Sequence, residues 1–247
     1  MDGARNVAEV NTRQPAASAG IGNGAAGNRL SPLAPLARAF EQAGTLVRLA
    51  RHQQLAIAPA TDDCSYLMRC GTVALETTMH GRHILGFWHD NDLLETAQMP
   101  ALPQLALRAL EASELWRLRQ KASKPLFTEL PDIRVAHQKA SAASLKRMIV
   151  VNAMLGRLDG ETRVISFLVS TALRLGHVVG NRVTMRMPMS RADIADHLSL
   201  NPDTLSRIVT GLKDAGLIES HGRYGLTVRD WRGLRERTPL TASLIDI

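Results

Sequence analysis

Cysteine is scarce in this sequence: Cys64 and Cys70 are alone among 247 residues. Two thiols are too few for the disulfide framework of a small secreted domain. Within one subunit they are also too few for a four-thiolate iron–sulfur cluster. Both read as ordinary small core or surface residues. Long apolar runs are missing as well. No window approaches the roughly 18 consecutive apolar residues of a membrane-spanning helix, and the N-terminus lacks the basic-then-apolar order of a secretory signal. The expectation is a cytoplasmic chain with no membrane partner. Catalytic signatures are missing too: there is no His-Glu-x-x-His, no nucleophile elbow and no glycine loop placed after a strand to cradle phosphate.

What is present suits a globular protein. The length accommodates two modest domains, and 45% hydrophobic content can give each a packed core. A formal charge of +7 suits a polyanionic partner, although arginine-rich chains reach such values for other reasons. Residues 1–29, rich in Ala, Gly and Asn, have no sustained apolar period. They cannot bury enough surface to offset their ordering entropy, so a disordered tail is expected. Leu33–Leu49 carries Leu36, Ala39, Phe40, Leu46 and Leu49 with a break at Gly44, which predicts one or two short helices.

From Leu55 to about Leu118 the chain changes to short runs punctuated by turns: LAIA, CSYLM, TVALETT, a turn at His80-Gly81, then HILGFW. That pattern predicts an antiparallel β-roll. His80, His83 and His89 lie close together here, but their spacing does not give the tight His-x-His…Glu set of a metal-binding cupin. His80 and His83 flank a turn and read as solvated loop histidines, and no metal site is expected. Pro131 and Asp132 then open a long helical run to about Arg157. Its apolar positions are Ile133, Ala136, Ala140, Ala143, Met148, Val151, Leu155 and Leu158, with Asp159-Gly160 as its end. Burial on its own β-roll would explain such a stripe, and so would pairing with a second helix. Glu161–Leu175 gives another amphipathic helix, with Val164, Phe167, Leu168 and Leu173 on one side.

Met187–Val228 holds the densest local information. Ser190 and Asp193 form a capping-box start, after which Ile194, Ala195 and Leu198 share a face. Asn201 caps a second helix, Pro202 suits its first position, and Gly216 suits the residue just past Ala215. Leu205, Ile208, Val209 and Leu212 fall on one side of that helix; Asp203, Ser206, Arg207 and Thr210 fall on the other. Ile218–Ser220, a His221-Gly222 turn and Arg223–Val228 read as a hairpin, with Val183, Met185 and Met187 alternating in a third strand. Asp230–Arg237 adds a short helix. This is the pattern of a winged helix-turn-helix, whose second helix offers short side chains and one Arg able to donate two hydrogen bonds to guanine O6 and N7.

RADIADHLSLNPDTLSRIVTGLKDAGLI followed by SHGRYGLTV resembles the DNA-binding domain of the Crp/Fnr family of bacterial transcription regulators. Upstream, CSYLMRCGTVAL and HILGFWHDNDLL resemble that family's degenerate cyclic-nucleotide-binding β-roll, nearest its oxygen- and nitrogen-oxide-responsive, Fnr-like branches but without their cysteine cluster. The resemblance covers about residues 30–237 and implies an α+β fold. A tail at 1–29 would precede a β-roll domain at 30–128, a dimerisation helix at 129–159 and a winged helix-turn-helix domain at 160–240. The family's base-reading residues fall on Asp203, Ser206 and Arg207, and its phosphate contacts on Ser190, Arg191, Thr204 and His221. Two positions depart from the pattern. Asp203 stands where the family has Glu, one methylene longer, and Ser199 stands where it has a turn glycine.

In nucleotide-binding relatives a Gly-Glu-Leu turn and a downstream Arg-Ser/Thr-Ala segment hold ribose and phosphate. Here LLETAQMPALPQLALRALEASELWRL keeps Glu95 with no glycine before it, and Arg108 lies beyond the phosphate-binding place. Cyclic-nucleotide dependence is therefore not expected. The resemblance implies a homodimer on an inverted repeat of double-stranded DNA, with RNA polymerase as a partner. A cupin-like metal-dependent enzyme and a small-molecule sensor using the roll pocket are the competing readings. The residues call for no cofactor, while haem or another small effector stays open.

Overall fold

The computed structural model describes residues 33–59, 63–78 and 81–245. The expected tail at 1–29 and the turn residue His80 lie outside them. The chain forms two compact units, one of Met1–Val73 with Trp88–Ser141 and one of Ala74–Phe87 with Ala142–Ile247.

The first unit opens with α1 (Ala34–Ala43), which buries Leu36, Ala39 and Phe40. Contrary to expectation, helix does not resume after Gly44. Thr45–Leu49 is a strand, β1, pairing antiparallel with β8 (Ser113–Arg119) from Thr45↔Arg117 to Leu49↔Ser113. Leu46 and Leu49 fit a helical spacing, but Val47 and Leu49 are the buried pair, at strand spacing. Gly44 makes the abrupt change possible, since a Cβ there would sit 2.5 Å from the Phe40 carbonyl oxygen. β2 (Gln54–Ala56), β3 (Cys64–Cys70), β4 (Val73–Thr77), β5 (His83–Trp88), β6 (Leu93–Glu95) and β7 (Ala106–Ala109) complete the run of short strands. The order β1-β8-β3-β6 makes one sheet, with a register irregularity between Met68 and Cys70, and β2 pairs with β7.

After β8, α2 (Gln120–Glu129) is a helix that sequence reasoning missed, because Pro125 sits inside it and few apolar positions recur. α3 (Pro131–Arg157) has the expected span. Leu36, Ala39 and Phe40 of α1, Leu67, Leu93 and Leu118 of the strands, and Ile133, Ala136 and Ala140 of α3 make one core cluster. Each large side chain so enclosed contributes about 1.5–3 kcal/mol. The stripe on α3 is thus divided. Its first three members are buried inside their own unit, while Met148 is exposed beside Leu145 and Ile149.

The second unit contains most of the β4–β5 hairpin and the end of α3, then α4 (Gly160–Leu175), β9 (His177–Val179), β10 (Arg182–Arg186), α5 (Arg191–His197) and α6 (Pro202–Asp214). β11 (Ile218–His221), β12 (Gly225–Val228), α7 (Trp231–Glu236) and α8 (Thr241–Ile245) follow. Asp159 caps α4, its side chain accepting from the Thr162 N–H, so Gly160 begins a helix where it was expected to end one. The strands form a sheet of order β11-β12-β10-β9, which adds β9 to the three expected strands. Val183 and Met185 of β10 and Leu226 and Val228 of β12 turn inward against α4, α5 and α6, where Val164, Leu168, Ile194 and Leu205 are buried.

Candidate nucleic-acid interface

Local hydrogen bonding sets α5. Ser190 Oγ accepts from the Asp193 N–H at 3.1 Å, and Asp193 Oδ2 accepts from the Ser190 N–H at 3.0 Å and from its hydroxyl at 2.6 Å. This is the complete capping box, of the kind whose loss costs about 1 kcal/mol. It also engages both donors of Ser190, so a phosphate contact from Ser190 requires the box to open. The turn to α6 closes through Leu200 N–H to the Ala195 carbonyl, with Ser199 at φ 52°. A side chain thus occupies the left-handed conformation that glycine adopts freely.

Asn201 caps α6, its side chain accepting from the Asp203 N–H at 2.8 Å. Leu205 and Leu212 are buried, and Ile208 and Val209 half-buried. Asp203, Arg207 and Thr210 are exposed on the opposite side, with Ser206 and Thr204 half-buried beside them. Arg207 makes one long contact, 3.4 Å to Thr204 Oγ1. Gly216, at φ 70°, ends the helix. The three residues expected to read bases therefore share one face, which the apolar positions behind them hold outward.

The wing pairs Ile218↔Val228 to His221↔Gly225, and Gly222 turns it at φ 58°. His221 is exposed, with Nε2 3.0 Å from Thr227 Oγ1. Sequence reasoning passed over three residues here. The guanidinium carbons of Arg186 and Arg223 lie 5.4 and 5.2 Å from the centre of the Tyr224 ring, within reach of a cation–π contact. The only sequence signal was an aromatic residue beside an arginine in a wing. The Met187 N–H donates to the Tyr224 carbonyl, tying the wing to the segment that leads into α5. A cleft of about 380 Å³ lined by Phe167, Met189 and Leu205 has Arg191 and Arg223 among its lining residues, so both cations border one opening.

Residues 162–237 match the Crp-like helix-turn-helix domain family. The chain is 37% identical over 106 residues to the nitrogen fixation regulation protein FixK of Azorhizobium caulinodans, an alignment covering 42% of this chain and 43% of that protein. It is 24% identical over 180 residues to the anaerobic regulatory protein of Haemophilus influenzae, covering 70% and 68%. The structure of FixK2 from Bradyrhizobium japonicum matches with a TM-score of 0.67 at 22% identity, over 79% of this chain and 97% of that one. Residues 162–237 form a Crp-like helix-turn-helix domain. The chain's architecture is the same α+β arrangement of β-roll, long helix and C-terminal winged helix-turn-helix. A mutant CooA from Carboxydothermus hydrogenoformans shares the fold, with a TM-score of 0.68 at 19% identity over 80% and 88% of the two chains.

Within the β-roll, Glu95 is already engaged. His137 Nε2 of α3 lies 2.8 Å from its Oε1, without hydrogen-bond alignment. Ser141 of the same helix donates to Oε2, and Gln98 Nε2 donates to Oε2 at 2.7 Å and to Ser141 Oγ at 2.8 Å. Burial pushes the Glu95 carboxyl up, but contact with His137 and the hydrogen bond from Ser141 outweigh it and hold the group below its ordinary value. His89 lies in the same unit. It is buried, with Nδ1 3.1 Å from Thr72 Oγ1. Among the described residues no three His, Cys, Asp or Glu side chains are arranged to hold a metal, and no helix is long and apolar enough to cross a membrane.

Proposed function

We propose that this protein is a cytoplasmic, dimeric, sequence-specific DNA-binding transcription regulator that acts on an inverted-repeat operator. One observation carries the reading: α6 presents Asp203, Ser206 and Arg207 on a single outward face while Leu205 and Leu212 anchor its back. Arg207 can donate to guanine O6 and N7, whereas Asp203, one methylene shorter than the Glu at that place in the family, extends less far toward a cytosine amine. Arg191, Thr204 and His221 contact phosphates, and Ser190 joins them only if its capping box opens. Residues 30–128 serve as the β-roll domain, 129–159 as the dimerisation helix and 160–240 as the DNA-binding domain. RNA polymerase is the second macromolecular partner. Likeness to transcription regulators favours this reading over a cupin-like enzyme, and the engagement of Glu95 argues against cyclic nucleotides as effectors.

The test is selection of bound sites from random duplex DNA, followed by titration of single-base operator variants at several salt concentrations. Half-sites about 10 base pairs apart are expected. Arg207→Ala should cost about 1–3 kcal/mol per half-site and relax preference at one guanine position. Arg191→Ala should instead weaken all sequences alike and lower the salt slope by about one per protomer. The reverse pattern would show that α6 does not lie in the major groove.

A further inference from the structure

Most of the β4–β5 hairpin, Ala74–Phe87, lies in the same compact unit as α5, and β5 meets that helix. The Ile84 N–H donates to Asp196 Oδ2 at 2.8 Å. His197 Nδ1 lies 3.2 Å from the Ile84 carbonyl oxygen. Because a carbonyl can only accept, that nitrogen carries the proton. Phe87 packs edge-on against the His197 ring at 5.0 Å and against Phe167 at 6.1 Å. Two adjacent α5 side chains thus do for the strand edge what a further strand would do. Just before β5, Arg82 Nη1 lies 3.4 Å from Asp193 Oδ1.

Asp193 has conflicting demands. As the capping-box partner of Ser190 it holds the start of α5, and it is buried. Arg191 and Asp193 are the first and third residues of α5, so the Asp193 charge lies within one helical turn of the position assigned to a DNA phosphate, which it repels. We propose that Arg82 is a positioning residue for DNA binding: it offsets the charge of Asp193 in the first turn of α5, the turn that carries Arg191. The inference rests on the reading of Arg191 as a phosphate contact. Arg82 is 42% exposed, so its ion pair adds little to stability and its effect should appear in DNA affinity.

A double-mutant cycle in the full-length protein tests this, using the selected operator and a range of sodium chloride concentrations. Arg82→Ala should bind about 3- to 10-fold more weakly at low salt, with the deficit shrinking as salt rises. Arg82→Lys should bind like the wild type. Asp193→Asn keeps an acceptor for Ser190 while removing the charge. Adding Arg82→Ala to it should change affinity by less than about 2-fold, because no charge remains to offset. Wild-type affinity in Arg82→Ala overturns the proposal, and so does an equal loss in the two backgrounds, which would make Arg82 a direct DNA contact. If Asp193→Asn fails to fold, the salt dependence of Arg82→Ala against Arg82→Lys decides: a salt-independent loss, or an equal loss in both, overturns it. Failure of the parent reading looks different, since Arg191→Ala would then cost nothing or the wild type would show no sequence preference.

Discussion

Ser199 and His197 carry two conformational costs of the DNA-binding unit, and each can be measured. Ser199 holds φ 52° between α5 and α6, where an L side chain crowds the backbone. Ser199→Gly should therefore raise the unfolding free energy by about 0.5–1 kcal/mol, read from denaturant midpoints at unchanged slope. No gain would mean that the serine side chain repays its own strain. His197 is neutral because burial lowers its pKa from the ordinary 6.5 to about 4, only partly opposed by the Ile84 carbonyl. Below pH 6.5 the unfolded chain takes up a proton that the folded chain refuses until about pH 4, so stability present above that window is lost as pH falls through it. The full loss is on the order of 3 kcal/mol. His197→Gln keeps a donor for Ile84 without a titrating ring, and its melting temperature should stay flatter between pH 6.5 and 5 than that of the wild type.

At the scale of elements, α3 is apolar on two opposite sides. Ile133, Ala136, Ala140 and Met154 are buried on one side, whereas Leu145, Met148 and Ile149 are exposed on the other. In the proposed dimer a second copy of the helix would pack on the exposed set. Leu145→Asp combined with Ile149→Asp should yield a folded monomer in sedimentation at tens of micromolar, with operator affinity sharply reduced. A dimer that survives this change would place the interface elsewhere. Ala136→Asp should act differently, placing a charge in the core and destabilising the fold by about 3–5 kcal/mol. The helix's span could be read from its sequence, but the division of its faces could not, because apolar spacing marks which residues seek cover and not what covers them. Thr45–Leu49 shows the same limit. Five residues with Leu46, Val47 and Leu49 apolar fit either period until Ser113–Arg117 is brought alongside as a partner.

For the whole molecule, the engaged carboxylate of Glu95 predicts indifference to cyclic nucleotides. Calorimetry with cyclic AMP or cyclic GMP should give no heat of binding, and operator affinity should not change. Micromolar binding of either, lost on Glu95→Ala, would reverse this. What the sequence by itself determined lies within a few residues of chain: the Ser190–Asp193 box, the Asn201 cap, the turn at Gly216 and the two faces of α6. These interactions join positions two to four apart, so they form wherever that stretch is helical. Tertiary structure alone decided contacts between distant positions. Ile84 meets Asp196 from 112 positions away, Arg82 reaches Asp193, and His137 and Ser141 take the carboxylate of Glu95. No local spacing encodes such pairs, because they exist only once the packed strands and helices bring their side chains within a few ångströms.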